Sequence, residues 1–171
     1  ATPQQFGAKG DGTTDDSYYI NRAIYVVNQN KGLYLQLTPG DYYSSSNIYL
    51  MDGIKVAGSG IRSTRLLLNQ GVQIRNNDTP VKDVSFGGLK IEMVGSGSNL
   101  NAIYFNTTSG MNENIYLHDL NMQMHRKGNF AIFFGKIKNG KGENITIDSS
   151  NNVSWWTTDC ENISLNRIFV S

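Results

Sequence analysis

Apolar residues recur along the chain with two different periods. Ile20, Ala23, Ile24 and Val27 follow the i, i+3, i+4, i+7 spacing of one buried stripe, which predicts an amphipathic helix over residues 15–31. Thr14 or Asp15 stands where the first free amides need an acceptor, and Asp15 and Asp16 suit the positive end of the helix dipole. Gly32 offers a left-handed stop. The period then drops to two. Leu33, Leu35 and Leu37 alternate as in a strand, and Pro39-Gly40 turns the chain.

The remainder repeats itself. "GIKVAG" from Gly53, "DVSFGGLKIEM" from Asp83, "NIYLHDLNMQM" from Asn114, "NITIDSS" from Asn144 and "NISLNRIFV" from Asn162 share a polar residue followed by alternating apolar ones. On this alignment Ile54, Val84, Ile115, Ile145 and Ile163 are equivalent, separated by 30, 31, 30 and 18 residues, and Val56, Phe86, Leu117, Ile147 and Leu165 follow two positions later. A second series runs Val72/Ile74, Ile103/Phe105, Ile132/Phe134, and a third pairs Leu89/Ile91 with Leu120/Met122.

Short alternating strands at a fixed period are the signature of a solenoid. One coil cannot bury its own apolar residues, but stacked coils align them into an internal column, with parallel strands about 4.8 Å apart. The Asp83, Asn114, Asn144, Asn162 series then reads as a ladder of side chains bonding from coil to coil. A stack has open ends that need covers. The polar, glycine-rich opening "FGAKGDGTTDD" could be a nucleotide-binding loop or part of a lid; beside a solenoid, it and the helix read as the lid. The chain divides into residues 1–32, loop and capping helix, and residues 33–171, coils of one domain. "RIFVS" falls within a strand pattern, which suggests the N-terminal part of a longer β-helix.

Composition narrows the function classes. The 171 residues suffice for one domain with a core, and the formal net charge of +1 offers no field that would draw nucleic acid. No stretch is long and apolar enough to insert in a membrane as a helix, and the start is not a signal peptide. Cys160 stands alone, so neither an internal disulfide nor a multi-cysteine metal site is expected, and it reads as a small buried residue. "GSGIRST" lacks the ending of a phosphate loop, and the sequons at Asn77, Asn106, Asn144, Asn152 and Asn162 are what an Asn-rich chain produces by chance.

"FGAKGDGTTDD" before a helix, then "LYLQLTPGDYY" and "MDGIKVAGSGIRSTRLLL", resembles the N-terminal region of the pectate-lyase-like right-handed parallel β-helix superfamily over roughly residues 4–68. The resemblance implies an all-β, right-handed parallel β-helix with a short N-terminal capping α-helix. It also implies a long polysaccharide as partner, bound along the outside of the stack. The superfamily includes polygalacturonases, glucanases, mannuronan epimerases and phage tailspikes, so fold alone does not choose a reaction.

The chemistry expected from those relatives is missing. Glycoside hydrolysis needs two carboxyl groups across the bond. Lyase chemistry needs a base beside a uronate and a cation to neutralise its carboxylate. The polygalacturonase motifs do not occur here, and where the epimerase-like members carry Asp-Pro-His this chain has Phe133, Phe134 and Gly135 within "AIFFGK". No acidic cluster for calcium is visible, and neither cofactor nor metal is expected. Candidate catalytic residues reduce to Glu92, Asp119 and His125, with Arg126 and Lys127 beside them in a polar turn. His118 reads as an outward surface histidine. Tyr104, Phe133, and one of Trp155 and Trp156 face outward between inward pairs, forming an aromatic stripe for sugar rings or for a neighbouring subunit. Three readings follow. The first is a phage tailspike or appendage module that binds, and in full length degrades, a host-surface polysaccharide, as a homotrimer located in the virion tail or outside the cell. The second is the N-terminal fragment of a secreted polysaccharide lyase or hydrolase. The third is a structural stalk without ligand.

Overall fold

A computed structural model describes residues 1–30, 33–95, 101–125, 130–148 and 153–171. It is a right-handed parallel β-helix of about six turns with one helix near its N-terminus. The coils have three faces. The first runs through Leu35, Val56, Phe86, Leu117, Gly142 and Leu165, each hydrogen-bonded in register with the next. The second runs through Tyr42, Leu66, Ile91, Met122, Ile147 and Val170. The third runs through Ile48, Ile74, Ile103, Ile132 and Trp155. From Leu35 and Tyr42 up to Phe134 and Ile147 the apolar members of these columns are buried in one continuous core.

Sharp corners stand at either end of the first face, as two series five residues apart, the second of which turns the chain into the second face. Asp83, Asn114, Asn139 and Asn162 all have φ between 53° and 60°, and so do Asn144 and Arg167, with Asp119 at 50°. Asn and Asp tolerate this left-handed region better than other side chains. In the first series the Asn114 amide donates to Asp83 (2.7 Å), Asn139 to Asn114 (3.1 Å) and Asn162 to Asn139 (3.1 Å). In the second, Asn144 donates to Asp119 (2.9 Å).

The expected ladder is therefore corrected at one rung. Asn139 takes the place assigned to Asn144, and Ile145 and Ile147 stand over Leu120 and Met122, not over Ile115 and Leu117. The residues above Ile115 and Leu117 are Gly140 and Gly142. The coil here is 25 residues long where those before it are 30 and 31, so the expected spacing slips by one corner-to-corner step of five. At Gly142 the missing volume is refilled from the third face, where a Cβ would lie 2.4 Å from the Trp155 indole; at Gly140 a Cβ would meet Ile163 at 2.6 Å, Ile137 at 3.1 Å and the Phe134 ring at 3.2 Å. Trp155 packs edge-on against Phe134, with ring centroids 5.0 Å apart.

The helix spans Ser17–Gln29 and buries Ile20, Ala23, Ile24 and Val27 as expected. It begins two residues later than its pattern suggests because Asp15 belongs to the preceding strand, Asp11–Asp15. The Asp15 carboxylate still accepts from the Ser17 amide (3.1 Å) and hydroxyl (2.6 Å). Asn30 closes the other end, its side-chain amide donating to Val26 O; Gly32 lies outside the described residues. Leu33 is exposed, and the strand starts at Leu35. The helix shields the open end of the stack in a specific way. The side chain of Asn21 donates to Asn47 O (2.8 Å) and accepts from the Tyr49 amide (2.9 Å), pairing the edge of the third face as another strand would. The opening loop folds around a carboxylate of its own: fully buried Asp16 accepts from the amides of Lys9 (2.7 Å) and Gly10 (2.9 Å). Its amides bind an internal anion and serve the lid.

Candidate functional site

Two outward-facing surfaces carry the candidate residues. The first lies on the third face. Strand alternation that buries Ile74, Ile103, Ile132 and Trp155 turns Arg75, Tyr104, Phe133 and Trp156 outward in one register column. Tyr104 and Phe133 stack nearly parallel, 4.9 Å between centroids and 16° between planes. The Arg75 guanidinium lies 5.0 Å over the Tyr104 ring and is itself paired with Asp78. Phe130 joins Phe133 to Trp156, which is 45% exposed. Trp156 is thus the outward indole, while Trp155 turns inward to pack on the core. Polar groups flank the rings: the Asn106 amide donates to the Tyr104 hydroxyl (3.1 Å).

The second surface lies on the second face. Glu92 and Gln123 are register partners, as the repeat implies. Glu92 is gripped by Arg65 (3.0 Å), Lys90 (3.4 Å) and His125 (3.3 Å), and Arg65 also clasps Asp41 (3.0 Å). Burial pushes the Glu92 carboxyl up, but hydrogen bonds from His125 and Arg65 and the charge of Lys90 outweigh it and hold the group below its ordinary range. Asp41 is held low by the Arg65 hydrogen bond, and Arg65 is raised in return. A cleft of about 380 Å³ opens here beside Arg62, Arg65 and Lys90. Across Ile61 it continues into a groove of about 430 Å³ lined by Asp119, Asn144, Thr146 and Phe169.

The three sequence candidates are therefore brought together only in part. Glu92 and His125 meet, whereas Asp119 stands at a corner, accepting from His118 (2.9 Å) and Asn144 (2.9 Å). The His118 hydrogen bond, then that of Asn144, holds the Asp119 carboxyl low. Two carboxyls that are both kept ionised offer no acid to protonate a glycosidic oxygen. Arg126 and Lys127 lie outside the described residues. Among the described residues no group of three His, Cys, Asp or Glu is placed to hold a metal. Cys160 is half-buried, with its Sγ 3.2 Å from the Phe134 and Thr158 carbonyl oxygens. Missed by the sequence is a bond between coils, His118 Nε2 to Ser85 Oγ (3.2 Å). The coil period carries that signal: a residue in one coil lies 31 positions above its neighbour in the coil below.

Residues 4–88 match the family described as rhamnogalacturonase A/epimerase, pectate lyase-like. The capsule K30/K69-specific depolymerase 1 of Klebsiella phage K5-2 is 28% identical over 174 residues, which cover 90% of this chain and 22% of that protein. The chain thus spans about a fifth of the length of this relative. The A-module of mannuronan C-5 epimerase AlgE4 from Azotobacter vinelandii superposes with a TM-score of 0.73 at 17% identity, over 98% of this chain and 58% of that one. ORF18 of Geobacillus virus E2 superposes at 0.58 and 19% identity, over 90% of this chain and 35% of that one. With the stacked coils, the capping helix and this agreement in sequence and fold, the chain belongs to the pectate-lyase-like parallel β-helix superfamily.

Proposed function

We propose that this chain is a module of a phage tailspike, present in the virion tail as a homotrimer, that binds a host-surface polysaccharide along the outside of its coils. The observation that carries the reading is the column Arg75, Tyr104, Phe133, Trp156. Sugar rings lie flat on aromatic faces through their C–H groups, and the flanking amides and guanidinium supply partners for hydroxyls. Rings repeating at the coil spacing suit a polymer better than a single small ligand. The relative named as a capsule depolymerase supports the substrate class. Arg62, Arg65 and Lys90 line a charged cleft beside Glu92 that suits recognition of polar or anionic sugar substituents.

The test replaces Tyr104 and Phe133 together with Ser and follows binding of purified K30 and K69 capsular polysaccharide alongside mass in solution. Loss of binding at unchanged mass is the expected result. Loss of a trimeric mass assigns the stripe to a subunit interface instead. No change in either removes the stripe from the recognition surface.

A further inference from the structure

On the first face, a coil of 31 residues sets His118 above Gly87 and diagonally above Ser85. Gly87 makes room for it, because a Cβ there would lie 1.9 Å from the His118 carbonyl oxygen and 2.9 Å from the imidazole Cγ. Both ring nitrogens are engaged. Nδ1 lies 2.9 Å from Asp119 Oδ2 and Nε2 lies 3.2 Å from Ser85 Oγ. An ionised carboxylate only accepts, so Nδ1 carries the proton. In that tautomer Nε2 is the acceptor, and the Ser85 hydroxyl donates to it. We propose that Ser85, His118 and Asp119 form a hydrolytic triad on the outside of the β-helix, acting on small O-acyl esters such as acetyl groups on sugar hydroxyls.

The surroundings hold this arrangement in place. Asp119 is fixed at its left-handed corner, and its other oxygen accepts from Asn144 (2.9 Å). The Tyr116 ring stacks on the imidazole at 4.7 Å. Tyr116 in turn donates to Glu143 (2.9 Å), which Lys141 (2.7 Å) and Arg167 (3.0 Å) anchor from the coils above. Ser85 and His118 are half-buried and open to solvent on one side. Lys55, exposed, stands in the coil below as the register partner of Ser85 and is the cation of the neighbouring rung.

In the reaction, Ser85 Oγ bonds to the acyl carbon while its proton passes to His118 Nε2. The carbon–alkoxide bond breaks, and the imidazolium returns that proton to the departing sugar oxygen. Water then attacks the acyl-serine, giving the free carboxylic acid and regenerating the hydroxyl. Ser85 and His118 are the catalytic residues, and Asp119 is a positioning residue that fixes the tautomer. The backbone amides of this face are spent on the strand ladder, so no pair of them forms an oxyanion hole. An activated ester therefore reports the acyl-transfer step most readily, and sugar O-acetyl groups are turned over more slowly. Only the identity of the alcohol rests on the polysaccharide reading above.

The test uses p-nitrophenyl acetate, which contains no sugar, together with a fluorophosphonate label located by peptide mass. The parent chain is expected to be labelled at Ser85 and to hydrolyse the ester. Ser85→Ala should lower the rate at least tenfold at an unchanged melting temperature. Asp119→Asn should lower kcat with KM unchanged, and Asp119→Glu should restore part of it. Hydrolysis that survives in Ser85→Ala, as imidazole acting alone would give, overturns the proposal. Absence of label at Ser85 in the parent overturns it too, whether or not the variants fold. Failure of capsule binding with Ser85 still labelled would count against the polysaccharide reading alone.

Discussion

Removing the Trp155 indole tests the packing between faces most directly. Trp155 and Trp156 are neighbours in sequence, but only the first is turned into the stack, over the space left by Gly142. Burying a whole aromatic side chain removes about 150–250 Å² from water, worth about 4–6 kcal/mol at about 25 cal/mol per Å². Trp155 is only partly buried, which brings the expectation for Trp155→Ala to about 3 kcal/mol, at the low end for such truncations. For a chain of this size that is a fall of about 6–12 °C in melting temperature by circular dichroism. Trp156→Ala, on the outward side, should stay within about 0.5 kcal/mol. Gly142→Ala supplies the converse perturbation. Its Cβ would meet indole carbons at 2.4 and 2.7 Å and a Leu165 methyl at 3.0 Å, an overpacking cost of about 1–3 kcal/mol. Because the clash is with the indole, most of that cost should vanish when Trp155 is already Ala, a coupling of about 1 kcal/mol or more. The reasoning fails if Trp156→Ala costs more than Trp155→Ala, or if Gly142→Ala costs the same in both backgrounds.

Ile24→Asp places an unpaired charge beneath the capping helix, where Ile24 is 1% exposed, and should destabilise by about 3 kcal/mol in urea titration; an unchanged midpoint would remove the helix from the core. Burial alone would raise the Asp15 carboxyl, but hydrogen bonds from Ser17 and Ser45 outweigh it and bring its pKa down to about 2. Its contribution is therefore fully present above the ordinary carboxylate range and is lost as pH falls through the folded value. Asp15→Asn should cost about 1 kcal/mol at pH 7 after discounting for exposure, with the gap to the parent closing towards pH 2 in acid melts. A gap that stays constant across that range would show that proton binding at Asp15 plays no part.

How much was legible in the chain depended on whether a signal was local. The stripe Ile20, Ala23, Ile24, Val27 needs only its own periodicity, and the helix is where it points. Tyr104 and Phe133 needed only the two-residue alternation of their strands. The register above residue 124 needed the coil length, and here local pattern misleads. "NITI" at Asn144 looks like "NIYL" at Asn114, although Asn144 is a second-corner residue and Asn114 a first-corner one. Gly140 and Gly142 hide the true equivalents of Ile115 and Leu117, since the apolar volume arrives from other positions: Ile163 and Ile137 at Gly140, and Trp155 on another face at Gly142. For the same reason His118 reads as an ordinary surface residue. Its partner Ser85 lies 33 residues away, and only the step from coil to coil brings the two together.

The corner ladder has a direction. Each amide in the series Asn162, Asn139, Asn114 donates to the coil before it, and Asn139 and Asn114 also accept from the coil after. The series ends on Asp83, a side chain that when ionised only accepts and so needs no partner below. Asn139 is followed by Gly140, the sequence context in which an asparagine most readily loses its amide nitrogen with age. At that rung the change would convert the donor facing Asn114 into a carboxylate oxygen opposing another oxygen. One hydrogen bond would become a repulsion in the middle of the stack. At the base of the ladder a carboxylate is already the native group. The same chemical change is thus built in at Asp83 and disruptive at Asn139.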